Sequence, residues 1–441
     1  MDNFRKIAVN LLDKVFTKGG YSNIVLNNGI KEANIDDKDI PLLTEIFYGT
    51  IKYKYTIDKT IAKYIKDLSK LDNYITNLLR ISFYQIIYLD KVPSYAVVDE
   101  AVKIAKKRSL GYSKLINGVL RNYLRDENKA IIGSNPIETL SLKYSFSPWM
   151  VKLFINQYGE EIAKDILEGL NKVPTITIRV NSIKTNYNKA YEELKKLGYS
   201  ISEGSVCPEA ISIHKGRNIE NNPLFKAGDI TVQDESAMLV APTMDLTSTN
   251  KVLDLCSAPG GKTTHMAELM ENQGEIYAFD VHEKKLKLIN SNAKRLGIDT
   301  IKTGLNDARK LNTKFINSFD RILIDVPCSG LGIIRKKPEI KWDKTEKDLQ
   351  GIIKIQREIL ESTSNYLKED GIMIYSTCTL NKKENEDNIT WFLNKHKEFY
   401  LDKLYFGEKS NLIYSDTGYL TILPNENMDG FFIAKLHKRK R

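Results

Sequence analysis

From about residue 236 onward, short apolar runs alternate with stretches of helical period, and no other feature of the chain constrains its fold as tightly. The runs are Lys251 to Cys256, Glu275 to Val281, Ile301 to Leu305, Arg321 to Val326 and Gly371 to Tyr375. Amphipathic helices fit most of the gaps between them, as at Glu283 to Leu296 and Thr345 to Leu367. A strand that is apolar throughout is buried on both faces, so this order predicts a doubly wound parallel sheet clad in helices. Tyr419 to Leu423 and Gly430 to Ala434 predict a terminal pair of strands. Ligands and chemistry collect at the carboxyl ends of such strands.

Upstream the period changes. Residues 1–125 predict helices at about 2–18, 37–65, 71–89, 94–107 and 112–125. In the fourth, Val98, Ala101, Val102 and Ala105 fall on one face while Glu100, Lys103, Lys106 and Lys107 point elsewhere. Gly133-Ser134-Asn135-Pro136 marks a linker over 126–140. Helix from Pro148 to about Leu170, an alternating strand at Thr175 to Asn181, helix near Lys189 to Leu197 and further strand-like pieces to about Val232 predict a small α+β insert.

Hydrophobic residues make up 42% of the 441 and charged residues 28%, the composition of a soluble chain. No apolar run is long enough to span a bilayer, and Met1-Asp2-Asn3-Phe4-Arg5-Lys6 leads straight into helical period without a signal-peptide core. The four cysteines, 207, 256, 328 and 378, have no Cys-x-x-Cys spacing, which argues against a metal site or a disulfide framework. The cytoplasm is the expected compartment, with no membrane partner and a monomer as the default. Net charge is +10, with +6 on residues 1–140, zero on 141–235 and +4 on 236–441, where the tail from Lys435 supplies five cations. Cation excess on the helical part and the tail suits a polyanionic partner. Lys106, Lys107, Arg108, Lys114, Arg121 and Arg125 give the helices a basic edge, either a phosphate site or a solvated face.

The first strand runs into Cys256-Ser257-Ala258-Pro259-Gly260-Gly261-Lys262-Thr263 and then a helix. Paired glycines permit close backbone approach, and the helix start offers free N–H groups to an anion. The next strand ends at Asp280, which suits ribose hydroxyls, and Asp307 follows the third, where it suits a nucleobase edge. A dinucleotide usually calls for G-x-G-x-x-G, which is absent. A P-loop requires glycine where this chain has Cys256, although Asp325 imitates the acid that accompanies such loops. S-adenosylmethionine needs a carboxylate contact, a ribose contact and an adenine contact, and fits all three.

Two further strands end in cysteine motifs, Asp325-Val326-Pro327-Cys328-Ser329-Gly330 and Ser376-Thr377-Cys378-Thr379. Free cysteine is often an inert core residue. Two thiols at the ligand edge of the sheet, one beside an acid, point instead to covalent chemistry. The residues alone do not say which thiol attacks.

With Asp254 to Thr263 and both cysteine motifs, the chain resembles the RNA cytosine-C5 methyltransferases. With a helical part that resembles NusB, it looks like the RsmB (Sun/Fmu) branch of that family. Gln233 to Ala237, Arg335 to Trp342 and Asp429 to Phe432 also match family segments. The resemblance implies a NusB-like RNA-binding bundle over 1–130, a helical linker with an RRM-like α+β subdomain over 141–235, and a Rossmann-like methyltransferase domain over 236–441. It implies methylation of one cytosine of bacterial small-subunit ribosomal RNA, naked or partly assembled, with S-adenosylmethionine as cofactor. Cys256, Ser257, Ala258, Pro259, Gly260, Gly261 and Lys262 would line the methionine end of the cofactor, Asp280 its ribose and Asp307 its adenine. Asp325 would stand between cofactor and base. Cys378 would be the nucleophile, with Cys328 assisting release and Lys262 a candidate for favouring the thiolate.

Overall fold

Leu11, Leu12 and Val15, Ile75, Leu78, Leu79 and Phe83, and Ile116, Val119 and Leu120 recur at helical spacing, and all are buried in one core. The helices that carry them are α1 (Phe4–Lys18), α5 (Asn73–Tyr88) and α7 (Leu110–Arg125); between them come α2 (Ser22–Glu32), α3 (Ile40–Lys52), α4 (Lys54–Ala62) and α6 (Ser94–Lys106). Three more follow, α8 (Pro136–Tyr144), α9 (Pro148–Tyr158) and α10 (Glu160–Gly169). The structure, a computed structural model, describes residues 3–216 and 218–440. Asp2 of the expected first helix and Arg441 of the basic tail lie outside that range.

The chain forms two units, one reaching Asn171 and taking in Lys336–Thr345, the other comprising Lys172–Arg335 and the chain from Glu346 onward. Several helices depart from expectation for local reasons. The stretch 37–65 breaks at Tyr53, because buried Phe47 and Ile51 are followed by Ile57 and Ile61, and a spacing of six cannot stay on one helical face. Gly159, with φ of +80°, divides the stretch 148–170. The expected linker contains the start of α8, capped by Asn135 Oδ1, which accepts from Glu138 N at 2.9 Å. On α6 the buried face is Val97, Val98, Ala101, Ile104 and Ala105, and Val102 stands at its margin.

Lys336–Thr345 belongs to the helical unit through buried hydrogen bonds. Lys341 Nζ donates to the carbonyls of Lys52 and Ser145, each at 3.0 Å, and to Asn171 Oδ1 at 2.8 Å. Trp342 Nε1 donates to Ile51 O at 2.7 Å, and Glu339 accepts from Ser22 N and Oγ at 3.0 and 2.6 Å. Burial, with Lys52 nearby, pushes the Lys341 amine well below its ordinary range.

The second unit opens with β1 (Ile176–Val180), α11 (Tyr187–Lys196), β2 (Ser200–Glu203), β3 (Ala210–Lys215), α12 (Pro223–Ala227) and β4 (Ile230–Val232). The strands pair antiparallel in the order β2-β3-β1-β4. After α13 (Glu235–Met238) come β5 (Lys251–Asp254), α14 (Gly261–Leu269), β6 (Glu275–Asp280), α15 (Glu283–Leu296), β7 (Ile301–Leu305) and β8 (Phe319–Asp325). Then follow α16 (Ile340–Asp343) of the helical unit, α17 (Glu346–Ser364), β9 (Leu367–Thr377), α18 (Glu386–Lys395), β10 (Phe399–Asp402), β11 (Leu412–Tyr414), β12 (Leu420–Ile422) and β13 (Phe431–Lys438). The sheet order is β11-β12-β13-β9-β8-β5-β6-β7, with β10 on β13. β5 to β9 run parallel and β10 to β13 antiparallel, so the sheet is mixed, and the strand order reverses between β5 and β8.

One buried ion pair ties the small sheet to the helix that follows the loop after β5. Arg179 of β1 holds Glu268 of α14 through two bonds of 2.9 and 2.7 Å, donates to Gly261 O at 3.0 Å and also bonds Gln233. Its side chain is fully buried. Breaking such a pair on one side leaves an uncompensated charge and costs about 3–5 kcal/mol. Arg179→Met should lower stability by roughly that amount in urea denaturation, and Arg179→Met with Glu268→Met should recover much of the loss. A loss in the double variant as large as the sum of the two single losses would contradict the pairing.

Candidate active site

Parallel pairing of β8 with β9 sets Asp325 opposite Ser376, and Ser376 Oγ donates to Asp325 Oδ1 at 2.8 Å. Each strand then runs on into its cysteine loop, and the two sulfurs meet with Cys328 Sγ 3.2 Å from Cys378 Sγ. Gly332 packs so closely that its N–H donates to Cys378 O at 2.9 Å, and a Cβ there would collide with the Gly430 carbonyl. Lys262, from the first turn of α14, donates to the other oxygen of Asp325 at 2.7 Å and lies 5.0 Å from the centre of the Phe431 ring. The Asp325 carboxylate is thereby oriented by one neutral and one cationic donor, and it keeps its remaining lone pairs on a partly open face.

Beside this cluster lies a cleft of about 350 Å³ at the carboxyl ends of β5, β6, β7 and β8. Leu255, Ala308, Ile355 and Ile359 give it apolar walls, and Asp280, Asn306, Asp307 and Asp325 give it polar groups. Cys256 and Ala258 line it from the loop after β5, where Gly260, with φ of +101°, admits the turn into α14. No side chain caps that helix start, so its first N–H groups remain available. Asp280 Oδ1 accepts from His282 N at 2.9 Å, which fixes the carboxylate at the cleft wall. Asp307 is gripped by Arg309 through two bonds of 2.9 and 2.8 Å. Asn306 Nδ2 is buried without a partner, a donor available to an acceptor within the cleft. Apolar walls, an uncapped helix start, an acid fixed at the cleft wall and an unspent amide suit S-adenosylmethionine in size and chemistry.

The hydrogen bond with Cys378 first, then burial, pushes the Cys328 thiol well above the ordinary range. Burial opposes the charge on Lys262, but Asp325 outweighs it and raises the amine, and the Cys378 sulfur is among the groups acting in the same direction. Burial, helped by Asp254, lifts the Cys256 thiol well above its usual value, so this residue shapes the cleft as an uncharged wall. Cys207 is buried in the unit's core against Glu235 O, its thiol likewise raised by burial. His265, buried within α14, pairs with Glu209.

The fold thus gathers Lys262, Asp325, Cys328 and Cys378 in one cluster, with Cys256, Ala258, Asp280 and Asp307 around the adjoining cleft. Ser257 Oγ turns away to Phe279 O at 2.9 Å, where it braces the loop. Asn306 is a site residue that the sequence did not mark, while Ser376 and Phe431 lie within segments quoted for the resemblance but were given no role there. The register that sets Ser376 against Asp325 gives it one. In the helical unit, Lys106, Lys107 and Arg108 line a groove with Lys6 and Tyr74, while Lys114, Arg121 and Arg125 are exposed on α7 outside it.

Comparison with known proteins finds the same architecture. The family model described as 16S rRNA methyltransferase RsmB/F matches residues 241–437, the NusB family model residues 2–125, and the RsmF/B-like ferredoxin-like domain residues 146–220. The probable ribosomal RNA small subunit methyltransferase B of Bacillus subtilis (strain 168) is 38% identical over 99% of this chain and 98% of its own length. The ribosomal RNA small subunit methyltransferase B of Proteus mirabilis (strain HI4320) is 32% identical, with 99% of each chain covered. Among solved structures, PH0851 superposes with a TM-score of 0.84 at 29% identity over 99% of both chains. NSun6 from Pyrococcus horikoshii with SFG gives 0.60 at 25% identity, covering 66% of this chain and 98% of that one.

One buried acid makes the site's pH response measurable. Burial pushes the Asp254 carboxyl up to about 7, against a hydrogen bond from Thr263 Oγ1 at 2.7 Å and with the charge of Asp325 adding to the rise. An unfolded aspartate titrates near about 4, so between about pH 4 and 7 the folded state holds the extra proton and stability falls as pH rises. Asp254→Asn should therefore gain on the wild type across that window, by at most about 4 kcal/mol at ~1.4 kcal/mol per unit, and then hold its lead. Denaturant midpoints measured across the window test this. A difference that stays constant with pH would contradict it.

Proposed function

The chain belongs to the 16S rRNA methyltransferase RsmB/F family, and from that premise we propose that it methylates C5 of a cytosine in small-subunit ribosomal RNA through a covalent Cys378 adduct. The observation that carries the reading is the contact of two thiols, 3.2 Å apart, beside an acid that also borders the cofactor cleft. The cofactor of this family, S-adenosylmethionine, supplies an electrophilic methyl group when bound. Asp280, Asn306 and Asp307 would hold its nucleoside, and the loop from Cys256 to Lys262 its methionine end.

C5 of cytosine is too weak a nucleophile to take that methyl unaided. Cys378 Sγ adds to C6, and the C5–C6 π electrons move into the ring, which makes C5 electron-rich. Asp325, oriented by Lys262 and Ser376, accepts a hydrogen bond from the base's N4 amino group and so holds the ring in place, while the Lys262 ammonium beside it offsets the negative charge that addition puts on the ring. Lys262, raised and cationic, favours the thiolate of its neighbour. After C5 is methylated, a base removes its proton, the C5–C6 double bond returns, and the C6–S bond breaks. Cys328 Sγ–H stabilises the departing Cys378 thiolate by donating to it. A paired base must leave its stack to reach this cluster, or be presented in a loop. The groove of Lys6, Lys106, Lys107 and Arg108 suits the RNA backbone, with the helical unit as the RNA-binding part.

Trapping separates the two sulfurs. With small-subunit RNA and S-adenosylmethionine, Cys328→Ala should accumulate a protein–RNA complex that survives a denaturing gel, and Cys378→Ala should form none. The reverse pattern would exchange their roles. Absence of both adduct and 5-methylcytosine with the wild type, on RNA or subunits, would overturn the proposed reaction.

A further inference from the structure

Glu384 lies in the loop after β9, fully buried, and touches neither the cleft nor the sulfurs. Its carboxylate nonetheless collects donors from every segment that builds the thiol pair. Ser329 N and Oγ donate to it at 2.9 and 2.5 Å from the Cys328 loop. Asn381 Nδ2 donates at 3.0 Å from the Cys378 loop, and Gln356 Nε2 at 3.0 Å from α17. Gln356 Nε2 also bonds Pro327 O at 3.0 Å, so Cys328 sits between two residues fastened to the same anchor. On the other side Ser329 Oγ meets Thr379 Oγ1, next to Cys378, at 2.7 Å. Gln356 is in turn held by Asn388 Nδ2 at 2.8 Å, and Ser329, Gln356, Thr379, Asn381 and Asn388 are all buried. A buried network with its acceptors satisfied has one arrangement, and its loss is felt through every member.

We propose that Glu384 is the positioning residue of the thiol pair, the group that holds Cys328 and Cys378 at contact distance. This rests on the two-thiol reading given above and adds a residue that acts on the chemistry through those loops, with its charge also among the groups that hold the Cys328 thiol up. A misplacement of about 1 Å can cost on the order of 100-fold in rate, so the anchor controls turnover without touching RNA.

The geometry can be tested without RNA. Diamide, an azo oxidant, joins two adjacent thiols: an S–S bond forms, and its N=N bond takes up the two electrons and two protons. Closure of Cys328 onto Cys378 is followed by thiol titration and peptide mapping in the full-length wild type and in Glu384→Gln, Ser329→Ala and Glu384→Ala. Closure should slow roughly 10-fold or more in Glu384→Gln and less in Ser329→Ala, and kcat should fall in the same order with KM for RNA nearly unchanged. S-adenosylmethionine affinity and near-ultraviolet circular dichroism should match the wild type. If Glu384→Ala does not fold, the two milder variants decide. Closure and kcat at wild-type levels in both would overturn the proposal, as would a loss of kcat with unchanged closure. If the wild type closes quickly and the variants slowly, yet no variant or wild type methylates RNA, the anchor stands and the proposed reaction falls.

Discussion

Everything at the site follows from the parallel pairing of β8 with β9. That register sets Asp325 against Ser376, and the two chains then diverge into loops that carry one cysteine each. A one-residue slip would turn every side chain of the strand to the opposite face and take Asp325 away from its hydroxyl donor. The neighbouring pairing of β8 with β5, where strand order reverses, brings the cofactor loop to the same edge. The acid therefore belongs to two places at once, the cleft and the thiol cluster.

Polar groups so placed must be paid for by their partners. Lys262 and Asp325 hold one another, the Cys328 and Cys378 thiols meet each other, and Glu384 gathers donors from the loops and α17. Asp254 lacks a comparable set, with one oxygen unpartnered, and so holds its proton to higher pH. Farther out, Arg179 and Glu268 fix α14 against the small antiparallel sheet, with a bond to the carbonyl of Gly261 where Lys262 begins its first turn. Rigidity is supplied by these buried partners, while one face of Asp325 stays partly open.

The parallel strands were legible because burial on both faces leaves an apolar run, and β7 and α15 fall where the period places them. That the loop after β5 and the two cysteine motifs meet at one sheet edge was legible because each follows a strand in the sequence. What escaped is what distance in sequence conceals. Glu384 and Ser329 are 55 residues apart, and nothing in the polar run Asn381-Lys382-Lys383-Glu384-Asn385 marks the one carboxylate that is buried. The bond between Lys262 and Asp325 spans 63 residues in the same way. β10 and β11 are short edge elements with too few residues to show a period. α2 hides behind asparagines and Gly29, which is needed where α2 packs against Leu11. The distinction between the two thiols was also absent from local sequence; it rests on family resemblance.

The central claim is that one sulfur, Cys378, bonds to C6 of the target cytosine. Small-subunit RNA carrying 5-fluorocytidine has no C5 proton to release, so an adduct formed on it cannot be resolved. Mixing it with the wild-type protein and S-adenosylmethionine, digesting both chains and mapping the nucleotide-bearing peptide by mass spectrometry reads the attachment directly. The account predicts a methylated fluorocytidine on the peptide that contains Cys378. Attachment at Cys328, or no attached nucleotide under conditions in which unmodified RNA is methylated, would contradict it.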